Sequence, residues 1–249
     1  GLENYFQFEG KAFRVVPKRR QAGLFGYVDP EVHADRLSKF RFYKWDDPTV
    51  YFDENIRRML GNYRYGFTQL ADAYQQRGMD DEAARWLAYG EDKIPFRELE
   101  HDWTVAVLYA YRYMNVGEAQ RANDLAMFIS DRLKENLEYE MEDLDELEVE
   151  LSQLEEDVRM ARSRARTEEA ASLRNRQQRL LNRRDGIIQD ISFSVSRLAI
   201  LQNIYFETGE EEMADLLQLE VAELTGGRLS LPDSIEASRE QIRQFGLGS

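Results

Sequence analysis

The spacing of hydrophobic residues predicts a short irregular segment followed by long helices. In the first 63 residues the apolar positions are irregular, except where 11–16 and 40–42 alternate in the manner of short strands. A short helix is expected near 32–39. From Arg64 onward the spacing is helical, and neither Gly nor Pro interrupts the chain between Gly117 and Gly186. The sequence therefore predicts a mainly α fold with one or two small strands near its start.

A spaced set of large, small and turn-forming residues begins after Arg64. Its members are Phe67, Leu70, Ala71, Tyr74, Gly78, Ala83, Leu87, Gly90 and Pro95. In this order they match the tetratricopeptide repeat, a helix–turn–helix of about 34 residues. Small residues let the two helices approach closely, the first glycine can adopt a left-handed turn conformation, and the proline ends the second helix. The one departure is Gly90, where the repeat usually has Ala.

Two weaker copies follow the first. The second contains Ala106, Tyr109, Ala110, Tyr113, Gly117 and Ala122, and the third contains Leu198, Leu201, Tyr205, Gly209 and Ala214. One copy alone cannot bury its apolar face, so about three are needed for a stable stack. The alternative is an ordinary helical bundle in which these spacings coincide by chance.

The segment between the second and third copies is predicted to form an antiparallel coiled-coil hairpin. Apolar residues recur in heptads at Leu137, Leu144, Leu151, Val158 and Ala165, with Leu147, Leu154 and Ala161 between them. Twelve acids and no base lie between Glu135 and Asp157, and nine arginines lie between Arg159 and Arg184. A tip at 164–167, with Thr167 as the N-cap of the second arm, buries the apolar seam and sets acids against arginines.

This tip fixes a predicted register for the hairpin. The expected apolar pairs are Leu144 with Ile187, Leu151 with Leu180 and Val158 with Leu173, and the expected ion pairs are Glu148 with Arg183 and Glu155 with Arg176. The alternative is that the same pattern pairs between two chains and makes a homo-oligomer. The predicted organisation is an irregular N-terminal segment packed on the repeats (1–63), two repeats (64–132), the hairpin (133–197), and a third repeat with a C-terminal tail (198–249).

Composition narrows the candidate chemistry. The chain has 249 residues, a net charge of −14, no Cys and two His. Without cysteine there can be no disulfide framework, thiol nucleophile or Cys-based zinc site. The acidic balance argues against nucleic acid as a partner, and the acidic arm of the hairpin neutralises its arginine-rich arm. His33 is interpreted as a surface loop residue and His101 as a residue at a helix start, so no His-based metal site is expected.

One acidic cluster is a candidate cation site. Its members, Asp46, Asp47, Asp53 and Glu54, flank Pro48 and Tyr51. The favoured interpretation is structural: Asp-Asp-Pro forms a turn, and Asp53 caps a helix that starts at Glu54. A small metal-dependent enzyme that uses this cluster remains an alternative, but the sequence predicts no catalytic residue, metal or cofactor.

The first helices of the repeats supply a predicted partner-binding surface. Stacked tetratricopeptide units line a concave face with these helices, and here its residues are Tyr65, Thr68, Asp72, Gln75, Thr104, Val107, Tyr111 and Met114. Their aromatic and methionine content suits a peptide or protein partner. The alternative is that they pack against the N-terminal segment or the insertion.

Two segments resemble a known family. They are 3–17, which reads Glu-Asn-Tyr-Phe-Gln-Phe-Glu-Gly-Lys-Ala-Phe-Arg-Val-Val-Pro, and 39–64, which includes Lys39–Pro48, Tyr51–Met59 and Asn62–Arg64. They resemble the region that follows the membrane spans in a bacterial family of multi-pass proteins of unknown function. That family is similar to protein O-mannosyltransferase-like proteins with the C-type glycosyltransferase fold, and its members often end in a tetratricopeptide-like region.

The resemblance implies that this chain is the C-terminal part of a glycosyltransferase-like membrane protein. It implies a place on the extracytoplasmic, periplasmic face, tethered to the membrane-embedded N-terminal part of the same polypeptide. The catalytic acids of that fold lie in loops between membrane helices, so this chain is expected to be a non-catalytic scaffold that binds an acceptor protein or another partner. The alternative is a free-standing adaptor that oligomerises through its coiled coil.

Overall fold

The computed structural model describes residues 3–17, 26–45, 47, 49–99, 103–164 and 166–244. The protein is 75% helical, with eight α-helices and one three-stranded sheet among these residues. The predicted mainly α fold with small strands is therefore confirmed. The chain forms two compact units, Gly1–Ile129 (unit 1) and Ser130–Ser249 (unit 2).

The elements of unit 1 follow a short 3-10 helix, Glu3–Tyr5. They are β1 Phe6–Glu9, β2 Ala12–Val15, β3 Tyr27–Val28, α1 Pro30–Ser38, α2 Glu54–Gln75, α3 Asp80–Lys93 and α4 Trp103–Asn115. The next helix, α5 Ala119–Ser163, begins in unit 1 and continues into unit 2. Unit 2 also contains α6 Thr167–Thr208, α7 Glu211–Leu224 and α8 Ile235–Gln244.

The small sheet has β1 at its centre, antiparallel to β2 and parallel to β3. Phe8 of β1 lies opposite Phe13 of β2, and their ring centroids are 4.9 Å apart. The turn between these strands contains Gly10 with a φ of +66°, a conformation that favours glycine. The predicted strand at 11–16 is confirmed as β2, whereas 40–42 does not join the sheet.

His33 lies inside the protein on α1, so its prediction as a surface residue is wrong. Its exposed fraction is 0%. The Gly10 amide donates a hydrogen bond to Nδ1 at 2.9 Å, and Nε2 lies 2.9 Å from the Gly66 carbonyl oxygen of α2. Nδ1 also lies 3.1 Å from the Phe8 carbonyl oxygen, so both ring nitrogens contact backbone groups. His33 therefore ties the β1–β2 turn to the middle of α2.

Helix α2 starts where the sequence predicts, because the Asp53 carboxylate accepts a hydrogen bond from the Ile56 amide at 2.9 Å. It packs against both α3 and α4. At this three-helix junction a Cβ on Gly90 would lie 2.3 Å from the Tyr109 hydroxyl and 2.6 Å from Cγ of Phe67. The junction has no room for the alanine that the repeat pattern usually carries here.

In unit 2 the long helices α5 and α6 are joined by a tip of three residues and carry cross-helix ion pairs. The observed pairs are Arg183 with Asp143, and Arg176 with Glu150 at 2.5 Å. The predicted partners Glu148 and Glu155 are wrong, since each arginine reaches an acid five residues farther from the tip. Thr167 is also not the N-cap of α6: that position is Arg166, which makes no side-chain capping hydrogen bond.

The apolar seam of α5 is buried along its whole described length. The buried side chains are Leu137, Leu144, Leu147, Leu151, Leu154, Val158 and Ala161. Ala165, the next residue in the predicted series, lies outside the described residues. Farther along, α7 and α8 both pack on α6, and the Gln202 amide donates a hydrogen bond to the Pro232 carbonyl oxygen at 2.9 Å.

Candidate functional site

The eight residues predicted to contact a partner differ in their accessibility. Thr68, Val107 and Tyr111 have exposed fractions of only 0%, 2% and 7%. These three are not available to a partner, and in this respect the prediction is wrong. The remaining five are partly or fully exposed: Tyr65, Asp72, Gln75, Thr104 and Met114.

The partly exposed polar residues of this set mainly join α2 to α4. The Arg112 guanidinium donates to Asp72 Oδ2 at 2.8 Å, and the Gln75 amide donates to the Asn115 carbonyl oxygen at 3.1 Å. Both bonds connect residues 40 positions apart. A constant offset means that α2 and α4 lie side by side and run in the same direction. The main role of Asp72 and Gln75 is therefore to join α2 to α4, and only part of each side chain is left accessible to a partner.

Burial also changes the acidity of two side chains on this face. It raises the pKa of Asp72 to about 6, with the charge of Arg112 acting in the opposite direction. It raises the pKa of Tyr65 to about 12, and the nearby Asp72 carboxylate adds to that effect. Tyr65 therefore stays protonated near neutral pH, and the Asp72 carboxyl takes up a proton at a higher pH than an exposed aspartate does.

A cleft on the edge of this face was not predicted. It lies between the β1–β2 hairpin and α2, has a volume of about 380 Å³, and is lined by Phe8, Lys11, Phe13, Met59, Asn62, Tyr63 and Tyr65. Phe13 and Met59 remain 49% and 53% exposed, so the cleft is open to solvent. The Lys11 ammonium lies 3.5 Å from the ring centroid of Tyr63 and 4.1 Å from that of Phe40. Only Tyr65 was singled out by the repeat pattern.

The sequence does contain a weak signal for this cleft. Phe6 and Phe8 alternate with polar residues, as do Phe13 and Val15, which is typical of strands with one apolar face. The pairing of Phe8 with Phe13 brings these faces together. The alternation does not predict where the hairpin lies on α2, because that position depends on the hydrogen bond between His33 and Gly66.

The acidic cluster at the start of α2 is engaged in local structure. Asp46 lies outside the described residues. Asp47 accepts hydrogen bonds from the amide and hydroxyl of Thr49 at 3.0 and 2.6 Å, and Glu54 pairs with Arg58 at 2.5 Å. Among the described residues no group of three or more His, Asp or Glu side chains is arranged to hold a metal ion. His101 also lies outside the described residues.

A second, larger cavity lies in unit 2 and is strongly acidic. Its volume is about 720 Å³, and its lining carries seven acids, Asp131, Glu135, Glu138, Glu142, Asp145, Glu220 and Glu223, with two bases, Lys134 and Arg228. Both bases are already paired, Lys134 with Glu220 at 2.7 Å and Arg228 with Asp145 at 2.7 Å. The cavity thus keeps an excess of negative charge.

Comparison with known proteins adds no relative to this picture: no family model, curated protein or solved structure matches the chain. None of the described helices combines the length and hydrophobicity needed to cross a lipid bilayer.

Proposed function

We propose that the chain is a non-catalytic scaffold of tetratricopeptide-like units that binds a protein or peptide partner. The observation that carries this proposal is a helix cap that recurs in three turns. Gly78, Gly117 and Gly209 have φ values of 71°, 81° and 82°. In each turn the amide after the glycine donates to the carbonyl oxygen of the tyrosine four residues before it, at 3.1, 2.9 and 2.8 Å.

The packing after each turn is also the same. Five residues beyond each glycine stands an alanine, Ala83, Ala122 or Ala214, whose exposed fraction is 0%. A shared cap followed by a buried small residue allows the second helix to pack closely on the first, and α3 packs on α2 and α7 on α6 in this way. Together with the parallel offset of α2 and α4, this supports an interpretation as related repeat units rather than an unrelated bundle.

For α5 and α6 we propose an antiparallel coiled coil within one chain. The support is twofold: the heptad residues of α5 are buried, and α6 residues nearer its C-terminus contact α5 residues nearer its N-terminus. Ser194 donates to Glu140 at 3.2 Å, whereas Gln177, closer to the tip, contacts Glu155 at 3.4 Å. A long rigid arm of this kind suits a scaffold, because it extends the surface available to partners.

The accessible part of the α4 face provides the test of partner binding. A photo-crosslinking amino acid placed at Thr104, in living cells, should yield a discrete protein adduct. The control is Arg85 on α3, whose side chain is 68% exposed. If Thr104 and Arg85 give the same adducts, or if Thr104 gives none, binding through the surface around Thr104 is contradicted.

We also propose that the chain is the C-terminal domain of a glycosyltransferase-like membrane protein on the periplasmic face. The support is the resemblance of 3–17 and 39–64, which are neighbours in the structure, since Lys11 contacts both Phe40 and Tyr63. The reading frame before Gly1 should then encode several apolar spans of about 20 residues each. A frame without such spans would contradict the membrane tether and leave the scaffold proposal intact.

A free-standing adaptor that oligomerises through the hairpin is the second candidate. The observation that favours it is a set of exposed apolar side chains on α5 and α6: Tyr139, Val149, Met160, Ile188 and Phe193, with exposed fractions between 46% and 71%. Sedimentation at several protein concentrations tests this candidate, with Val149→Glu as the variant. A species that stays monomeric at every concentration would exclude it.

A further inference from the structure

The outer edge of β2 has the hydrogen-bonding pattern of an open strand. The Val16 amide donates to the Tyr5 carbonyl oxygen at 2.8 Å, which sets the phase of the antiparallel ladder. In that phase Arg14 and Ala12 bond to β1, while the backbone groups of Phe13 and Val15 point away from it. No strand among the described residues pairs with this outer edge.

The four residues of β2 are all exposed, so no other described part of the chain covers them. Strand edges of this kind are the sites where an extended segment from another protein adds to a sheet. Natural sheets often protect such an edge with a proline or an inward charge. Here the backbone groups that point outward belong to Phe13 and Val15, which are 49% and 70% exposed, and the charged residue between them, Arg14, forms an ion pair with Glu9 of β1 at 3.5 Å.

The cleft described above lies beside this edge. Phe13 and Val15 share one sheet face with Phe8 and Phe6, their partners across the ladder. This face borders α2, because Phe8 and Phe13 line the cleft together with Met59. On the helix side Met59 and Ile56 are 53% and 39% exposed. A strand added to β2 would point every second side chain toward this apolar strip, which predicts alternating apolar residues in the segment that binds.

The charge at the cleft is positive in a protein whose net charge is −14. Lys11 is the one charged residue of the cleft lining. No carboxylate of the described residues forms an ion pair with it, and its ammonium lies over the rings of Tyr63 and Phe40. An acidic side chain in the added segment would supply the missing counter-charge.

We propose that the β2 edge binds an extended segment of a partner protein by strand addition, with alternating apolar side chains in the cleft and a carboxylate beside Lys11. This inference goes beyond the proposed partner-binding surface around Thr104 on α4 and does not depend on it. If crosslinking at Thr104 fails but peptides add to β2, only the surface around Thr104 is excluded, and the reverse result excludes only strand addition.

The test uses the full chain and fluorescently labelled, capped synthetic heptapeptides. Their sequences alternate valine or phenylalanine with glutamate, serine or lysine, and fluorescence anisotropy measures binding. The glutamate series should bind most tightly. N-methylation at the residues that face β2 should abolish binding, and N-methylation one residue along should leave it unchanged. The inference is overturned if no peptide saturates the protein or if the position of the methyl group makes no difference.

Two protein variants sharpen the result. Lys11→Glu should weaken the glutamate peptides about fivefold and strengthen the lysine peptides, as expected for an exposed ion pair. Val15→Pro and Val15→Thr both lose the apolar valine side chain, but only Val15→Pro also loses the outward amide, so it should bind at least about fivefold more weakly than Val15→Thr. Circular dichroism confirms that each variant is folded. A Val15→Pro protein that is folded and binds as well as Val15→Thr would contradict strand addition.

Discussion

Replacing Gly90 with alanine tests whether the α2–α3–α4 junction is as tightly packed as the structure indicates. In an exposed helix this change would stabilise the protein by about 1 kcal/mol, because alanine has the higher helix propensity. At Gly90 the new Cβ would stand 2.3 Å from the Tyr109 hydroxyl and 2.6 Å from Cγ of Phe67. Both aromatic side chains have an exposed fraction of 0%, so neither can turn out into solvent.

The two opposing effects decide the expected magnitude. Overpacking a tight core typically costs about 1–3 kcal/mol, and two contacts this short belong at the upper end of that range. Subtracting the gain in helix propensity leaves a net destabilisation of about 1–2 kcal/mol for Gly90→Ala. Part of the cost comes from the Tyr109 hydroxyl, so Gly90→Ala should cost less in a Tyr109→Phe background.

Urea denaturation followed by tryptophan fluorescence is the suitable assay. Trp45, Trp86 and Trp103 are the three tryptophans of the chain and all lie in unit 1, so their signal reports the unfolding of that unit. Gly66→Ala is the matched control in the same unit: its Cβ would meet its nearest neighbour at 3.5 Å, an ordinary contact. It should be neutral or stabilising. If Gly90→Ala stabilises the protein as much as Gly66→Ala, the close junction is refuted.

Three further predictions concern pH and the hairpin. Burial lowers the pKa of His33, so the unfolded chain binds this proton more readily than the folded protein does. The stability of unit 1 should therefore fall as the pH drops below about 6.5. Unfolding followed by tryptophan fluorescence should show a smaller fall for His33→Gln. Burial raises the pKa of Asp72 to about 6, so the folded protein binds this proton more tightly than the unfolded chain does. The free energy that Asp72 contributes to stability should therefore decrease as the pH rises from about 4 to 6. Asp72→Asn should remove this pH dependence in the same assay. In unit 2, Leu147→Ala should lower the free energy of unfolding, measured by circular dichroism, by about 2–4 kcal/mol, because Leu147 is buried. Arg183→Glu should lower it by less than about 1 kcal/mol, because the ion pair of Arg183 with Asp143 is partly exposed. Equal losses would contradict a hairpin that is stabilised mainly by its apolar residues.

Local patterns account for the parts of the fold that the sequence predicts. The Asp53 cap is visible in the sequence because a capping residue and the amide that it binds are three positions apart. The strand β2 is likewise visible in a short alternation. Such features depend on neighbours along the chain, so no knowledge of the tertiary structure is needed to find them.

The failures share a different physical origin. The burial of His33 is not visible in the sequence, because its partners Gly10 and Gly66 lie 23 and 33 positions away. The partner of Arg183 was mispredicted because the acidic arm offers a carboxylate at nearly every position that a long side chain can reach. Apolar seams fix a register through packing, while exposed ion pairs do not select one acid among many.

The open cleft depends on a residue that does not line it. The sheet that contains the β1–β2 hairpin is small, because β3 adds only Tyr27 and Val28, so it needs contacts with the helices to hold Phe13 at a fixed distance from Met59. His33 supplies that constraint, because it bonds both the β1–β2 turn and the middle of α2, and shifting the hairpin would leave buried polar groups unpaired. Strand addition requires an edge that stays in place while the partner segment orders. In the proposed strand addition, the buried imidazole would be what keeps this edge of the sheet in place.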